Sequence, residues 1–390
     1  MTAADPAAGR ALPDPLAGYE DWPSWVRGRP RHRPGDPAGD ALAQVLGVPA
    51  PGPRPAVRTV AAERRDGLRH EVLEWSTGFG PATRAHLVRP DTDDAVPGVL
   101  GLHCHGGAKS SGGDQLAAEG PGRSAGAARL QRDLYGDRAP AVALARRGVA
   151  VLCPDAFAWG SRRFPLVQRT PRLVGGVAAL EALWREQGVE PDDDERYDRV
   201  SGLHEDLVAK AAGMFGTSLA GTVAHDDLVA LDVLGSLDGV APDRLGAFGF
   251  SGGGGRSVLL GALAPGLRAH VVTCMMATFG SLVPRYLDTH SWLLCSPGLW
   301  DHADWPDVLP LRPGRRVLVQ YGRDDALFPP AGMAAAHEQL ERRAADLPDA
   351  YRAAWWDRPH VFDRPMQDEA FDFLVGALWA PPPSGRSARA

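Results

Sequence analysis

The chain has 390 residues and a net charge of −6, from 48 acidic and 42 basic residues. This length allows one large domain with insertions as well as two smaller domains. Both charge signs are interspersed, so we expect neither a nucleic-acid partner nor electrostatic binding to a membrane. The first residues lack the basic-then-apolar pattern of a secretory signal, and no apolar run is long enough to span a bilayer. We therefore expect a cytoplasmic protein.

The four cysteines do not have the spacing of a disulfide framework. Cys153 and Cys274 lie in apolar, strand-like runs that predict buried free thiols. Cys104 lies between His103 and His105, a pattern that raises the alternative of a metal site. Adjacent residues of a strand point to opposite sides, and no second His/Cys cluster completes a ligand set. We therefore expect no bound metal.

The N-terminal part of the chain divides at about residue 56. Residues 1–56 are rich in proline, arginine and alanine, and predict a partly disordered arm in which the aromatic patch 19–25 docks on a partner surface that the sequence does not identify. Two alternating stretches, 68–75 and 83–89, are separated by a glycine-containing loop and predict a β-hairpin. A second loop, 104–113, follows the predicted strand 98–103 and is rich enough in glycine for its amides to approach a ligand closely.

A βαβ unit follows, because the predicted helix 138–147 leads through Gly148 into the strand 149–153. Such a unit implies parallel strands and a right-handed crossover. Residues 156–222 are too long for an ordinary connection in such a sheet. They contain helical stretches near 177–184 and near Leu203, and they predict an insertion that covers the functional site. The alternative is that its first residues only brace the base of the loop.

The remaining chain continues the alternation of helices and strands. A helix at 226–234 precedes the strand 244–250, and the tail 381–390 is predicted to be disordered. The further predicted strands are 269–274, 316–321 and 351–356. This pattern predicts an α/β domain over residues 57–380.

The strand 244–250 ends in Gly249-Phe-Ser-Gly-Gly253, a G-x-S-x-G motif followed by a helical stretch. In a sharp turn from strand to helix only small neighbours tolerate the crowding, and Ser251 is pushed out above the sheet. The amides at the start of the helix point to the same place. With 46 glycines in the chain, the motif alone also has a chance explanation. A phosphate-binding loop is disfavoured, because Gly255-Arg256 stands where glycine-lysine is required.

A nucleophilic serine needs a base and an acid that orients the base. Asp324 and Asp325 follow the strand 316–321, and His360 follows the strand 351–356. Taken singly, the aspartates are equally compatible with an ordinary turn and the histidine with a surface position. Together with Ser251 they occur at strand ends in the order serine, acid, histidine, which favours a catalytic triad with either aspartate as the acid.

On these residues the chain resembles the α/β-hydrolase superfamily, in its branch of dienelactone-hydrolase-like and acetyl-xylan-esterase-like proteins. The resemblance covers roughly residues 57–380. Its motifs are Leu102-His-Cys-His-Gly-Gly107, Leu134-Tyr-Gly136, Asp155-Ala-Phe-Ala-Trp-Gly-Ser-Arg-Arg163, Gly249-Phe-Ser-Gly-Gly253, Ser296-Pro-Gly-Leu299, Gly322-Arg-Asp-Asp-Ala-Leu-Phe-Pro329 and Pro359-His360.

The resemblance implies an α/β-hydrolase fold with a mostly parallel eight-stranded sheet, helices on both faces and the inserted cover segment. It also implies serine esterase chemistry without a metal or an organic cofactor. In the family pattern the acid aligns with Asp325, which we prefer to Asp324. Two features depart from the family. Dienelactone hydrolases use a cysteine where this chain has Ser251, and the insertion 156–222 prevents substrate preference from being transferred.

The expected activity is hydrolysis of a small-molecule carboxylic ester, such as an acetyl ester of a sugar or of a small metabolite. We expect the Gly252 amide and an amide of the loop at Gly106 and Gly107 to bind the oxyanion. The side chains expected to contact the substrate are His105, Trp159 and Arg163. An acyltransferase, a peptidase and a non-catalytic member of the fold are the alternatives, and the sequence does not predict an oligomeric state.

Overall fold

The computed structural model describes residues 13–120 and 123–380. Its centre is one nine-stranded sheet with the strand order β1-β2-β3-β5-β4-β6-β7-β8-β9. The strands are β1 (Arg58–Arg65), β2 (Leu68–Trp75), β3 (Thr83–Pro90), β4 (Val96–Leu102), β5 (Ala150–Pro154), β6 (Val240–Phe250), β7 (Ala269–Thr273), β8 (Arg316–Gly322) and β9 (Tyr351–Trp356). The predictions of disorder for residues 1–12 and 381–390 lie outside the described residues.

The sheet is mostly parallel, as predicted, but it has nine strands instead of eight. Strands β5, β4, β6, β7, β8 and β9 pair in parallel, whereas β1, β2, β3 and β5 pair antiparallel in succession. The additional strand is β1, which lies at the sheet edge with nearly all of its side chains exposed. Because neither of its faces is buried, its sequence lacks the apolar alternation that marks β2 and β3.

Helices cover both faces of the sheet and bury two large apolar cores. Leu100 and Leu152 pack into one core, and their strand neighbours Val99 and Val151 pack into the other. Since parallel strands are buried on both sides, they appear in the sequence as continuous apolar runs. No single helix in the described ranges is long and apolar enough to cross a membrane. The consecutive helices Asp193–Phe215 and Leu219–Ser236 reach the required length and hydropathy only when they are counted together, and they are bent by 82° relative to each other.

The described chain contains the following α-helices. They are α1 (Trp22–Gly28), α2 (Pro37–Leu46), α3 (Asp114–Ala117), α4 (Ala125–Leu134), α5 (Pro140–Ala145), α6 (Pro171–Gln187), α7 (Asp193–Phe215), α8 (Leu219–Ser236), α9 (Gly252–Leu263), α10 (Phe279–Leu282), α11 (Leu299–His302), α12 (Trp305–Val308), α13 (Pro330–Ala344) and α14 (Arg364–Trp379). Helix α9 follows the G-x-S-x-G strand directly, as the motif requires.

The insertion consists mainly of the two long helices α6 and α7, at the two stretches predicted to be helical. Helix α7 begins with a capping box, in which the Asp192 side chain accepts from the Glu195 amide at 2.8 Å and the Glu195 side chain binds the Asp192 amide. It ends at Gly216, which has a positive φ of 86°. The division of the chain into arm, hydrolase domain and insertion stays a prediction.

The described part of the arm contains helices α1 and α2, and its aromatic patch packs on the insertion. Tyr19 and Trp22 are completely buried among rings from the β2–β3 loop and the insertion. Their ring neighbours are Phe79, Phe157, Phe164 and Phe215. The Tyr19 hydroxyl also donates a hydrogen bond to the Arg162 carbonyl. The arm is therefore part of the core beneath the insertion.

We expect Trp22→Ala to lower the free energy of unfolding by about 3–5 kcal/mol, because it removes a large buried ring and leaves a cavity. Trp379→Ala is the matched control, since Trp379 is 45% exposed and only covers the Arg244 guanidinium. We expect that change to cost less than about 1 kcal/mol. Urea unfolding of both variants measures the difference. Equal losses in the two variants would contradict a structural role for the arm.

Candidate functional site

The G-x-S-x-G segment forms a strained turn between β6 and α9. Ser251 has a φ of 55° and a ψ of −126°, a conformation that non-glycine residues rarely adopt. Its amide donates to the Thr273 carbonyl at 2.9 Å, which ties the turn to the neighbouring strand. A side chain at Gly249 would collide with the Gly253 carbonyl, and one at Gly253 with the Leu102 carbonyl. The glycines of the motif are therefore required by close backbone approach.

An ion pair fixes the helix that follows this turn. Arg256 donates to both carboxylate oxygens of Asp227, at 3.0 and 2.6 Å, and to the His103 carbonyl at 3.1 Å. All three residues are buried. The bidentate geometry joins α9 to α8 and to the end of β4, where the glycine loop begins. The buried contacts of Arg256 therefore fix the start of the glycine loop relative to Ser251.

Asp325 and His360 form a direct pair. The His360 Nδ1 atom donates to Asp325 Oδ2 at 2.7 Å, and the Leu327 amide donates to Asp325 Oδ1 at 2.9 Å. The Asp325 side chain is fully buried, while Asp324 is exposed. The geometry therefore favours Asp325 as the partner of the histidine, because a buried carboxylate with two donors is held in one orientation.

The histidine lies beside the serine turn. Its ring centroid is 4.7 Å from that of Phe250, the residue before Ser251. Within the described residues no hydrogen bond joins Ser251 to His360. In unliganded sites such bonds are often long and tighten only when substrate is bound. The structure therefore places His360 in direct contact with Asp325 and against the residue that precedes Ser251.

Cys274 is a neighbour of this pair that the sequence did not predict. One side-chain atom each of Cys274, Asp325 and His360 lie within 4.8 Å of one another. Burial and the adjacent Asp325 carboxylate raise the pKa of the Cys274 thiol well above its usual range. The Cys274 thiol donates to the Val361 carbonyl at 3.6 Å, and His360 Nδ1 is already bonded to Asp325. These donors fit a hydrogen-bonded pair better than a metal site.

The glycine loop lies against the start of α9. A Cβ atom at Gly252 would stand 2.9 Å from the His105 amide nitrogen. Gly106 and Gly107 have positive φ values of 59° and 61°. Among the described residues the amides of His105, Gly106 and Gly252 have no hydrogen-bond partner, whereas the Gly107 amide donates to His105 Nδ1 at 3.1 Å. The geometry thus favours Gly252 with His105 or Gly106 as oxyanion donors over Gly107.

A small cavity of about 60 Å³ opens beside Ser251. Its walls come from the glycine loop, from residues 289–294 and from the loop after Asp325. The lining residues are His105, Ser251, Gly252, Met275, Thr289, His290, Ser291, Leu293, Leu294, Leu327 and Phe328. One water needs roughly 10–15 Å³ in this measure, so the cavity has room for a group of a few heavy atoms.

Of the three predicted contact residues, only His105 lines this cavity. Trp159 is buried beneath the loop, where its indole nitrogen donates to the His105 carbonyl at 3.3 Å. Arg163 donates to the Ser110 carbonyl at 3.2 Å and lies over the Tyr197 ring, on a separate cleft. The role of Trp159 and Arg163 as substrate contacts therefore stays a prediction.

Glu205 of α7 makes the shortest described polar contact between the insertion and the glycine loop. Its carboxylate accepts from Lys109 at 2.6 Å and from His105 at 2.9 Å. Burial alone would raise the pKa of Glu205, but Lys109 and His105 hold this pKa well below its usual range. Sequence reasoning missed Glu205, since it stands 100 positions from His105 and no local motif contains it.

The chain has the α/β-hydrolase fold. Its features are the mostly parallel sheet, the strained serine turn after β6, and the paired acid and histidine after β8 and β9. No protein-family model matches the chain. The chain is similar to YtaP of Bacillus subtilis, which is provisionally named a hydrolase, with 25% identity over 338 residues that cover 85% of this chain and 96% of YtaP.

Solved structures show the same fold at low sequence identity. A Bacteroides fragilis protein provisionally named an acetyl xylan esterase has a TM-score of 0.59 at 16% identity, covering 92% of this chain and 88% of that one. Acetyl xylan esterase 1 from Thermoanaerobacterium has a TM-score of 0.51 at 18% identity, with 92% and 98% covered. A glucuronoyl esterase from Solibacter usitatus has a TM-score of 0.55 at 14% identity, with 95% and 98% covered. The predicted resemblance is confirmed at the level of the fold.

Proposed function

We propose that the protein is a serine hydrolase that cleaves a carboxylic ester through Ser251, His360 and Asp325. The observation that supports this most directly is the hydrogen bond of 2.7 Å between His360 and the buried Asp325 carboxylate, beside the strained serine turn. A carboxylate that binds Nδ1 fixes the tautomer in which the other ring nitrogen can accept the serine proton. The names of the similar structures as esterases agree with this chemistry.

The reaction proceeds in two halves. His360 takes the proton of the Ser251 hydroxyl as its oxygen attacks the ester carbonyl, and the negative charge moves to the carbonyl oxygen. The amide of Gly252 and an amide of the His105–Gly106 segment stabilise that oxyanion. His360 then returns the proton to the leaving alcohol, and an acyl-enzyme remains. Water, deprotonated by His360, attacks the acyl group and releases the acid and free Ser251.

The cavity favours a short acyl group. At about 60 Å³, with apolar walls from Met275, Leu293 and Phe328, it has room for an acetyl methyl but not for a long alkyl chain. Burial of an apolar group there is favourable, whereas a longer chain would force the walls apart. We therefore assign an acetyl ester of a sugar or of a small metabolite as the substrate class, in line with the acetyl xylan esterases among the similar structures.

The central test is covalent labelling of the serine. A fluorophosphonate is expected to modify Ser251, and Ser251→Ala is expected to lose both labelling and hydrolysis of p-nitrophenyl acetate. Mass spectrometry of the labelled peptide locates the modified residue, and thermal unfolding checks that the alanine variant is folded. Labelling that persists in a folded Ser251→Ala variant would refute the assignment of the nucleophile.

The two aspartates provide a matched pair of variants. Asp325→Asn is expected to lower kcat by about 10⁴-fold, because the amide favours the wrong tautomer of His360. Asp324→Asn is expected to change kcat by less than about threefold, since this side chain is exposed and the described hydrogen bond of His360 goes to Asp325. Steady-state kinetics with p-nitrophenyl acetate measure both. A larger loss in the Asp324 variant would mean that the acid was misassigned.

The size of the cavity predicts a ranking of substrates. The value of kcat/KM is expected to fall by at least about tenfold from p-nitrophenyl acetate to the butyrate and further to the octanoate, because each added methylene must displace a packed wall. A series of p-nitrophenyl esters measures this ranking, with the intrinsic hydrolysis rate of each ester as the control. A maximum at the octanoate would contradict the assignment of a short acyl group.

A further inference from the structure

A buried carboxylate links the insertion to the loop beside Ser251. Glu205 Oε2 accepts from Lys109 at 2.6 Å and from His105 Nε2 at 2.9 Å, while Oε1 accepts from the Trp292 amide at 3.3 Å. The side chains of Lys109 and Glu205 are only 4% and 8% exposed. One carboxylate therefore joins three segments that are far apart in the sequence.

The hydrogen bonds of His105 determine its tautomer. The Gly107 amide donates to Nδ1 at 3.1 Å, so this nitrogen has to be unprotonated. The proton of a neutral ring is then on Nε2, which donates it to Glu205. Because both ring nitrogens are occupied, His105 cannot serve as a second base for Ser251. Its ring instead connects the carboxylate to the backbone of the loop.

The loop that this ring stabilises has little stiffness of its own. Gly106 and Gly107 both have positive φ values, and glycine loses more conformational freedom on ordering than any other residue. His105 lines the cavity with Ser251 and Gly252, and its amide lies near the start of α9. A shift of this loop would therefore move the oxyanion donors relative to the nucleophile.

We propose that Glu205 is a positioning residue that acts through His105 to hold the glycine loop, which carries the expected oxyanion donors, in its reactive conformation. This inference rests on the proposed function, since it assigns a role within the same ester hydrolysis. It makes helix α7 of the insertion a component of the transition-state site. This role requires an oxygen at position 205 that accepts the hydrogen bond from His105 Nε2. It does not require the charge of the ion pair between Lys109 and Glu205.

Two double variants separate the acceptor from the ion pair. Lys109→Met with Glu205→Leu removes the ion pair and the acceptor, whereas Lys109→Met with Glu205→Gln removes the ion pair but keeps an amide oxygen for His105 Nε2. Replacing both members of a buried ion pair together avoids an uncompensated charge, so both proteins are expected to fold. Asp206→Asn is the control on the same helix, since among the described residues the Asp206 carboxylate binds the half-exposed Trp292 indole and Arg172 and does not bind His105.

With p-nitrophenyl acetate the leucine double variant is expected to lose at least about 30-fold in kcat, with KM changed by less than about threefold, because a displaced oxyanion donor weakens transition-state binding. The glutamine double variant is expected to keep kcat within about fivefold, and Asp206→Asn within about twofold. The rate of fluorophosphonate labelling is expected to fall in parallel with kcat, while the melting temperatures of the two double variants stay close.

Equal kcat values in the two folded double variants would overturn the inference, as would a loss confined to KM. These outcomes leave the proposed function intact as long as Ser251 of the unchanged protein is labelled and hydrolyses the ester. If the unchanged protein neither hydrolyses the ester nor labels at Ser251, the proposed function fails first, and the role of Glu205 fails with it.

Discussion

The close approach of the serine turn to the end of β4 is the constraint on which the site depends. Gly253 lies against the Leu102 carbonyl with no space for a side chain, and Ser251 has a backbone conformation of high energy. Such a conformation persists only where its surroundings over-determine it. The buried contacts of Arg256 with Asp227 and with the His103 carbonyl supply part of that restraint. Backbone crowding and ion pairing therefore act together on the same few residues.

The insertion and the arm extend this restraint outward. Trp22 and Tyr19 fill the aromatic cluster beneath the insertion. Helix α7 packs in the same cluster, and its Glu205 binds His105 of the glycine loop. No described residue of the arm lines the cavity, yet the arm packs against α7, whose Glu205 binds the cavity-lining His105. A segment that looks dispensable from its composition thus supports the part of the insertion nearest the serine.

The features that the sequence predicted are those with a local cause. Ser251, Asp325 and His360 each follow a strand-like run that is broken by glycine, aspartate or proline. Such a pattern can be recognised in the sequence within about ten residues. The strand β1 could not be predicted, because its exposed side chains impose no pattern. Glu205 and Cys274 could not be predicted as site residues either. Their roles depend on contacts with His105 and Asp325 that only the tertiary fold creates.

The loop after β8 serves two purposes within four residues. Asp325 orients the histidine, and the amide of Leu327 binds the same carboxylate while Leu327 and Phe328 form a wall of the cavity. Under the proposed mechanism, enlarging the cavity from this side would loosen the catalytic acid, so selection for bulkier substrates would lower turnover. In the opposite wall, residues 289–294, His290 is tied to the same loop, because its Nε2 forms a hydrogen bond with the Leu327 carbonyl at 3.1 Å, whereas no described hydrogen bond joins Leu293 or Leu294 to that loop. Directed evolution toward longer acyl groups should therefore accumulate its changes at Leu293 and Leu294 and leave His290 and the acid loop untouched.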